Sequence, residues 1–392
     1  MSAPQFPPSP SALAGVQPRS TPPELDGADA EVETARRCLN SSTVVLWRST
    51  RVVQLELGQR RVVIENVGPD DMAALLARER GQPRVRAPQP PPRPGHAADS
   101  RLAELRDALE RAGFLADPAA GSAAANALGR AAPPLPAHVL PDLGALRTRL
   151  GDGAEATMQG RRAAAVAVHG TSRLATSVAA TLAAAGVGSV RLVHGGDVAL
   201  ADSCPGGLSP ADEGRRFGVA AVDAIRRAAP DVDTSPLPRD RLADLVILTD
   251  TAPVETAVRT SFQLDGLAHL AASVDGSRAV IGPLVLPGVT ACLRCADLHR
   301  SDRDPAWPAL AVQLASRPRR RLTSDVALCV ATAGVTVSQA LAYLDRQEPA
   351  VLGATLEWEL PDWRLRRRSW PPHHSCDCGA ATRSAQHGRM GA

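Results

Sequence analysis

Ala163-Ala-Ala-Val-Ala-Val-His-Gly170-Thr-Ser-Arg-Leu-Ala-Thr-Ser-Val-Ala-Ala-Thr-Leu-Ala-Ala-Ala-Gly-Val-Gly188-Ser-Val-Arg-Leu-Val193 is the stretch that decides the fold. Apolar residues before Gly170 predict a buried strand, and the alanine-rich run after it predicts a helix. Gly186 stands where a glycine commonly ends a helix, and Val190–Val193 predicts a second strand. A strand, a glycine turn, a helix and a further strand form the unit that places a phosphate at a helix N-terminus.

The glycine turn itself departs from the dinucleotide-binding fingerprint. Gly170, Ser172 and Ala175 stand where G-x-G-x-x-G is expected. Alanine is accepted at the third position, whereas a serine at the second crowds the close approach of backbone to pyrophosphate. The second strand runs into His194-Gly-Gly196, where an acid is expected. A nucleotide site and a Rossmann-like fold without nucleotide both remain open on this pattern.

Further strands and helices alternate after this unit. Leu242-Ala-Asp-Leu-Val-Ile-Leu-Thr-Asp250 predicts an apolar strand that ends in an acid, at the end where α/β sheets bind ligands. Helices near Val219–Ala229 and Glu255–Leu264, and a strand over Leu267–Val274, continue the pattern. The sequence therefore predicts an α/β, Rossmann-like domain whose candidate nucleotide-binding residues are Gly170, Ser172, Ala175 and Asp250.

Two close cysteine pairs lie far apart in the sequence. Cys292-Leu-Arg-Cys295 follows an apolar run, and Cys376-Asp-Cys378 lies near the C-terminus. Each short pair can span one edge of a tetrahedron, so four thiolates predict a structural zinc site with no open position for chemistry. Unligated reduced cysteines, or a redox pair at Cys292 and Cys295, are the alternatives.

The N-terminal part has a different pattern. Val44–Arg48, Arg51–Leu57 and Arg61–Glu65 predict short strands joined by hairpin turns. Pro69 opens a helix, and leucines at helical spacing around Leu105 predict a second one. This arrangement is compatible with a winged-helix module and equally with a small α+β domain. The predicted organisation is a disordered N-terminus (1–39), a winged-helix-like domain (40–117), a linker (118–138), the Rossmann-like domain (139–380) and a disordered tail (381–392).

Composition excludes several classes of protein. The chain of 392 residues contains no lysine, and its 44 basic residues are all arginine. Lysine Schiff-base chemistry and a Walker-type Gly-Lys-Ser/Thr are therefore excluded. The remaining cysteines, Cys38, Cys204 and Cys329, are scattered, which is typical of a reducing cytoplasm. We find neither a signal peptide nor 18 consecutive apolar residues, so we expect no membrane span. The net charge of +3 does not imply a polyanionic partner.

Residues 140–380 resemble the ThiF/MoeB superfamily, the bacterial relatives of ubiquitin-activating enzymes. The resemblance rests on the glycine turn with its helix ending in Gly186-Val-Gly188, on the acid Asp250, and on Pro287-Gly-x-x-x-Cys-x-x-Cys295 paired with a downstream cysteine pair. It implies a ThiF-type fold with structural zinc on Cys292, Cys295, Cys376 and Cys378. The cysteine regions look like an actinobacterial subgroup described as cyclodehydratase-like and leader-peptide-binding, whose winged-helix element binds the peptide.

Active members of that superfamily adenylate a carboxylate with ATP and magnesium. The resemblance implies that they need an acid on the ribose and a lysine on a phosphate, and this chain lacks both, which argues against ATP and magnesium as cofactors. We expect a scaffold that binds a precursor or carrier peptide for a partner modifying enzyme, with a homodimer as an open possibility. An adenylyltransferase with a divergent site is the alternative. A winged-helix regulator that binds nucleic acid is disfavoured, because the acids and arginines of the first domain alternate.

Overall fold

The computed structural model describes residues 38–39, 43–57, 60–69, 71–72, 96–116, 135–170, 172–193, 195–238, 241–249, 256–315 and 324–382. Contacts divide the chain into two compact units: Met1–Leu135 with Leu140–Met158, and Pro136–Val139 with Gln159–Ala392. Most of the predicted disordered N-terminus, linker and tail lies outside the described residues. One end of each segment is structured, since residues 38–39 form a strand, Ala137–Val139 form a 3₁₀ turn and residues 381–382 are helical.

The first unit contains a small antiparallel sheet. Its three strands are β2 (Val44–Ser49), β3 (Val52–Leu57) and β4 (Arg60–Glu65), in that spatial order, and the short strands β1 (Cys38–Leu39) and β5 (Leu115–Ala116) pair with each other. Helix α1 spans His96–Arg111. Apolar side chains alternate along β3, so one face of the sheet is buried in a core with the end of α1. That core contains Val53, Leu55, Leu57, Val67, Met72, Leu105, Leu109, Phe114 and Leu115.

Two further helices follow in the chain. Helix α2 spans Leu140–Leu150 and buries Leu143 and Leu146. Helix α3 spans Ala154–Ala163, which crosses the boundary between the two units. The strand predicted to begin at Ala163 begins instead at Ala165, because Ala163 is the last residue of α3.

The second unit is built on a seven-stranded mixed sheet in the order β12-β11-β10-β9-β8-β6-β7. The strands β7, β6, β8 and β9 are parallel to one another, and β9 to β12 are antiparallel. The central strands are short apolar runs, as expected for strands covered on both faces. Their bounds are β6 (Ala165–His169), β7 (Ser189–Val193), β8 (Leu245–Leu248), β9 (His269–Asp275), β10 (Arg278–Val285), β11 (Ala354–Glu359) and β12 (Arg366–Ser369).

Helices connect these strands. They are α4 (Arg173–Ala184), α5 (Phe217–Ala228), α6 (Thr256–Leu264), α7 (Leu293–Arg303), α8 (Trp307–Ala315) and α9 (Val326–Leu344). The chain leaves β6, pairs β7 on one side, and returns to pair β8 on the other. The order of strands therefore reverses beside β6, which is the position where open α/β sheets hold their ligands.

Helix α9 is long and apolar enough to cross a membrane when judged by length and composition alone. In the structure it packs on α4, β9 and β10. Its buried side is formed by Leu328, Cys329, Thr332, Ala333, Thr336, Val337 and Ala340. The helix is therefore a core element of the second unit.

Two glycines allow close backbone contacts in this unit. A Cβ atom on Gly188 would lie 1.8 Å from the carbonyl oxygen of Arg162. Only glycine therefore allows the segment between α4 and β7 to pack this closely against the end of α3. Gly282 has a φ of +97°, and a Cβ atom there would lie 2.3 Å from the carbonyl oxygen of Ala354. Both positions reject a side chain for steric reasons.

Candidate metal centre and nucleotide crevice

The four paired cysteines come together in the second unit. Cys292 caps the N-terminus of α7, Cys295 lies in its first turn, and Cys376 and Cys378 lie in the segment after β12. The Sγ atom of Cys292 lies 3.8 Å from that of Cys295 and 3.6 Å from that of Cys376. The Sγ atoms of Cys295 and Cys378 are 3.6 Å apart.

These distances fit a tetrahedral metal centre. Four sulfurs at about 2.3 Å from one ion lie about 3.8 Å from one another. All four ligand atoms lie within 4.8 Å of one another, and the four residues are largely buried. The cluster can therefore hold a metal ion. Each thiol in the network contacts the other pair, which favours one four-ligand site over a separate redox pair at Cys292 and Cys295.

The thiols differ in acidity. The hydrogen bond that Cys292 donates lowers the pKa of the Cys295 thiol to about 4, and the backbone N–H of His373 adds to this effect. The same bond, together with burial, raises the pKa of the Cys292 thiol above its usual range. Burial raises the pKa of the Cys376 thiol to about 11. A cation among the sulfurs would stabilise all four as thiolates, because a coordinating thiol loses its proton.

An apolar shell surrounds the cluster. Val285, Ala291, Ala296, Trp370 and Ala380 are buried against it. The indole Nε1 of Trp370 donates to Thr355 Oγ1 at 3.2 Å, which ties the shell to β11. A site with four protein ligands and an apolar shell suits a structural metal rather than a catalytic one.

The predicted nucleotide-binding turn lies at the carboxyl ends of β6 and β8. Ser172 is the N-cap of α4, and its Oγ lies 3.3 Å from the carbonyl oxygen of Thr249, to which it donates. Thr249 in turn donates its N–H to the carbonyl oxygen of His169 at 2.9 Å. The Ser172 side chain therefore bridges the two strand ends at the switch point. Although Ser172 is the N-cap residue, its hydroxyl makes no hydrogen bond to the first N–H groups of α4.

The other predicted crevice residues have different positions. Gly170 follows β6 directly, and Ala175 is fully buried in the first turn of α4, as close packing of helix on strand requires. Asp250 and His194 lie outside the described residues. The structure therefore brings Gly170, Ser172 and Ala175 into one turn and leaves the position of Asp250 untested.

One charged pair at the end of β7 was missed by sequence reasoning. Arg216 Nη1 lies 3.4 Å from Asp197 Oδ1, and both side chains are largely exposed. The N–H of Phe217 donates to the carbonyl oxygen of Gly196 at 3.0 Å, which holds Arg216 beside the Gly195-Gly196 turn. The segments are separated by a long irregular stretch of chain, so no local pattern indicates that they meet.

Solved structures of other proteins have a similar fold. No protein-family model and no curated protein sequence matches the chain. The microcin C7 biosynthetic enzyme MccB in complex with N-formylated MccA superposes with a TM-score of 0.60 at 12% identity, covering 88% of this chain and 99% of MccB. Escherichia coli MccB with ATP gives a TM-score of 0.60 at 12% identity over 87% of this chain and 99% of MccB. PaaA gives 0.57 at 16% identity over 84% of this chain and 99% of PaaA.

This chain has the fold of MccB. The likeness confirms the predicted α/β, Rossmann-like architecture and agrees with the ThiF-type fold that the motifs indicated. It extends beyond the second unit, because that unit alone cannot account for 88% of the chain. At this level of identity the comparison shows the fold, and function has to be argued from the sites.

Proposed function

We propose that this protein is a ThiF-like scaffold that binds a precursor or carrier peptide and presents it to a partner modifying enzyme in the cytoplasm. The observation that carries the proposal is the fold shared with MccB over nearly the full length of both chains. MccB has been crystallised with the peptide MccA. A fold that accommodates a peptide in one protein supports peptide binding in another, and the sites of this chain favour presentation of the peptide over its adenylation.

The peptide surface is proposed to lie on the first unit, which we interpret as a winged-helix-like module. Among the described residues, β3 is the central strand of this sheet and β2 and β4 are its edges, so the hairpin Gln54–Glu65 contains one edge strand, β4. Strand β2 exposes Val44, Leu46 and Trp47, with exposed fractions of 50%, 44% and 43%. Apolar side chains on an unpaired edge support strand addition by a peptide.

The metal centre is proposed to hold zinc with a structural role. Zinc prefers four thiolates in tetrahedral geometry, and this cluster provides them without an open position. The ion would connect the start of α7 to the segment after β12, and its binding energy would contribute to folding. The two cysteine pairs lie 81 residues apart between Cys295 and Cys376.

An active adenylyltransferase is the second candidate, and two observations favour it. MccB has been crystallised with ATP. In this chain Arg216 lies beside the turn after β7, where a guanidinium can bind phosphate as a lysine would. We nevertheless favour the scaffold, because Ser172 bridges the strand ends and the chain has no lysine.

Peptide binding to the full chain tests the proposal. The probe is a fluorescently labelled candidate precursor peptide, and the measurement is fluorescence anisotropy. Trp47→Ala should weaken binding about tenfold or more, because a tryptophan that becomes buried in an interface often contributes much of the binding energy. Trp363→Ala, at an exposed tryptophan of the second unit, is the matched control and should bind as the unmodified chain does. Equal binding by both variants would remove β2 as the peptide site.

A further inference from the structure

His373 makes three polar contacts beside the cysteine cluster. Its backbone N–H donates to Cys295 Sγ at 3.3 Å. Its ring Nδ1 accepts the N–H of Ser375 at 3.1 Å, and its ring Nε2 lies 2.9 Å from Asp302 Oδ2. The residue is 3% exposed, so these contacts hold the ring in one orientation.

These contacts decide which ring nitrogen carries the proton. Because Nδ1 accepts a backbone N–H, the proton of neutral His373 lies on Nε2 and is donated to Asp302. Nε2 then has no lone pair for a metal. His299, Asp302 and His373 lie close enough to hold an ion, but His299 Nε2 is also engaged, at 2.9 Å from the carbonyl oxygen of Pro371. This trio is therefore a hydrogen-bonded support and not a second metal site.

The support joins both halves of the cysteine cluster. Asp302 lies on α7, the helix that follows the N-cap residue Cys292 and carries Cys295. His373 lies in the segment that carries the other pair, and its carbonyl oxygen accepts the N–H of Cys376 at 3.0 Å. The bond from Asp302 to the His373 ring therefore fixes the turn that delivers one N–H to Cys295 and positions Cys376.

We propose that Asp302 is a positioning residue for the metal centre, acting through His373 to orient the N–H···S bond on Cys295. This inference rests on the proposed metal site. Mutation of a residue that hydrogen-bonds to a metal ligand typically weakens metal binding by about 10–100-fold. N–H donors to a thiolate stabilise its charge, as other charge-assisted hydrogen bonds do.

The test compares Asp302→Ala, Asp302→Asn and Asp377→Asn in the full chain. Asp377 lies between two cysteine ligands, is 79% exposed and pairs with Arg294 at 2.7 Å, so its loss removes the same charge without touching His373. Zinc affinity is measured by competition with a chromophoric chelator. The cobalt-substituted protein reports on sulfur bonding through its thiolate-to-cobalt absorption.

Asp302→Ala is expected to bind zinc about 10–100-fold more weakly and to shift the thiolate-to-cobalt band. Asp302→Asn should lose less, because its amide oxygen still accepts the Nε2–H. Asp377→Asn should change affinity less than about threefold, since an exposed charge contributes little.

Unchanged affinity in Asp302→Ala, or an equal loss in Asp377→Asn, would overturn the positioning role while leaving the metal site intact. An unmodified chain that binds no metal would overturn the site itself. Two metal ions per chain would overturn the assignment of the His373 proton.

Discussion

Arg161 and Asp345 form a buried, two-pronged ion pair across 184 residues of sequence. Arg161 Nε lies 2.7 Å from Asp345 Oδ1, and Nη2 lies 2.6 Å from Oδ2. The third guanidinium nitrogen, Nη1, donates to the carbonyl oxygen of Ala185 at 3.2 Å. Ala185 and Asp345 cap the C-terminal ends of α4 and α9, so one arginine of α3 joins both helix ends. The two side chains are 4% and 0% exposed.

Asp345→Asn should destabilise the second unit by about 3–5 kcal/mol, because it leaves a buried guanidinium without its countercharge. The measurement is the free energy of unfolding in denaturant. Asp231→Asn, which removes the partly exposed partner of Arg162, is the control and should cost less than about 1 kcal/mol.

The double variant Arg161→Met/Asp345→Leu tests whether the destabilisation comes from an uncompensated buried charge. Replacing both charges by apolar groups of similar volume is often neutral or stabilising, so we expect it to recover most of the loss. A double variant as unstable as Asp345→Asn alone would show that the uncompensated charge is not the cause of the loss.

Gly188→Ala should also destabilise this region, by about 1–3 kcal/mol or more, because the new Cβ would overlap the carbonyl oxygen of Arg162. Gly160→Ala is the matched control. Gly160 is an exposed residue inside α3 with no atom within 4 Å of a new Cβ, so alanine there should stabilise the chain by about 0.5–1 kcal/mol. Thermal unfolding of both variants compares their stabilities. If Gly188→Ala is as stable as the unmodified chain, the backbone at Gly188 can move away from the carbonyl oxygen of Arg162.

Removal of the metal is expected to weaken folding of the second unit. Purified chain should contain about one zinc, and Cys376→Ser should lose it along with much of the stability, since structural sites couple metal binding to folding. Cys329→Ser alters a buried cysteine that lies 3.2 Å from Ser324 Oγ, outside the cluster, and should keep the metal. Stoichiometric zinc in a Cys292→Ser/Cys376→Ser chain would exclude these cysteines as ligands.

The parts of this fold that follow local patterns were predictable. Buried strands such as Val166 to Val168, the glycine that ends α4 and the two cysteine pairs each have a signature within a few residues. The contacts between distant segments were not predictable, because the residues next to an arginine in the sequence do not show whether its side chain is buried or exposed. Arg161 with Asp345, Asp302 with His373 and Arg216 with Asp197 belong to this second class.

The glycine turn is predicted to support little or no adenylation. Ser172 donates across the crevice to Thr249, where backbone must approach pyrophosphate. Asp197, the acid nearest the end of β7, pairs with Arg216, and no lysine exists to stabilise the transferring phosphoryl group.

Loss of one such electrostatic contact typically costs ~10²–10³ in rate, so several losses together should leave turnover near background. The amides at the start of α4 can still bind an anion, so nucleotide binding alone does not contradict the prediction. The deciding measurement is ATP–pyrophosphate exchange by the full chain with the precursor peptide and magnesium. Exchange well above background that is lost in Asp250→Ala would restore the adenylyltransferase, and loss in Arg216→Ala would identify the arginine that replaces the lysine.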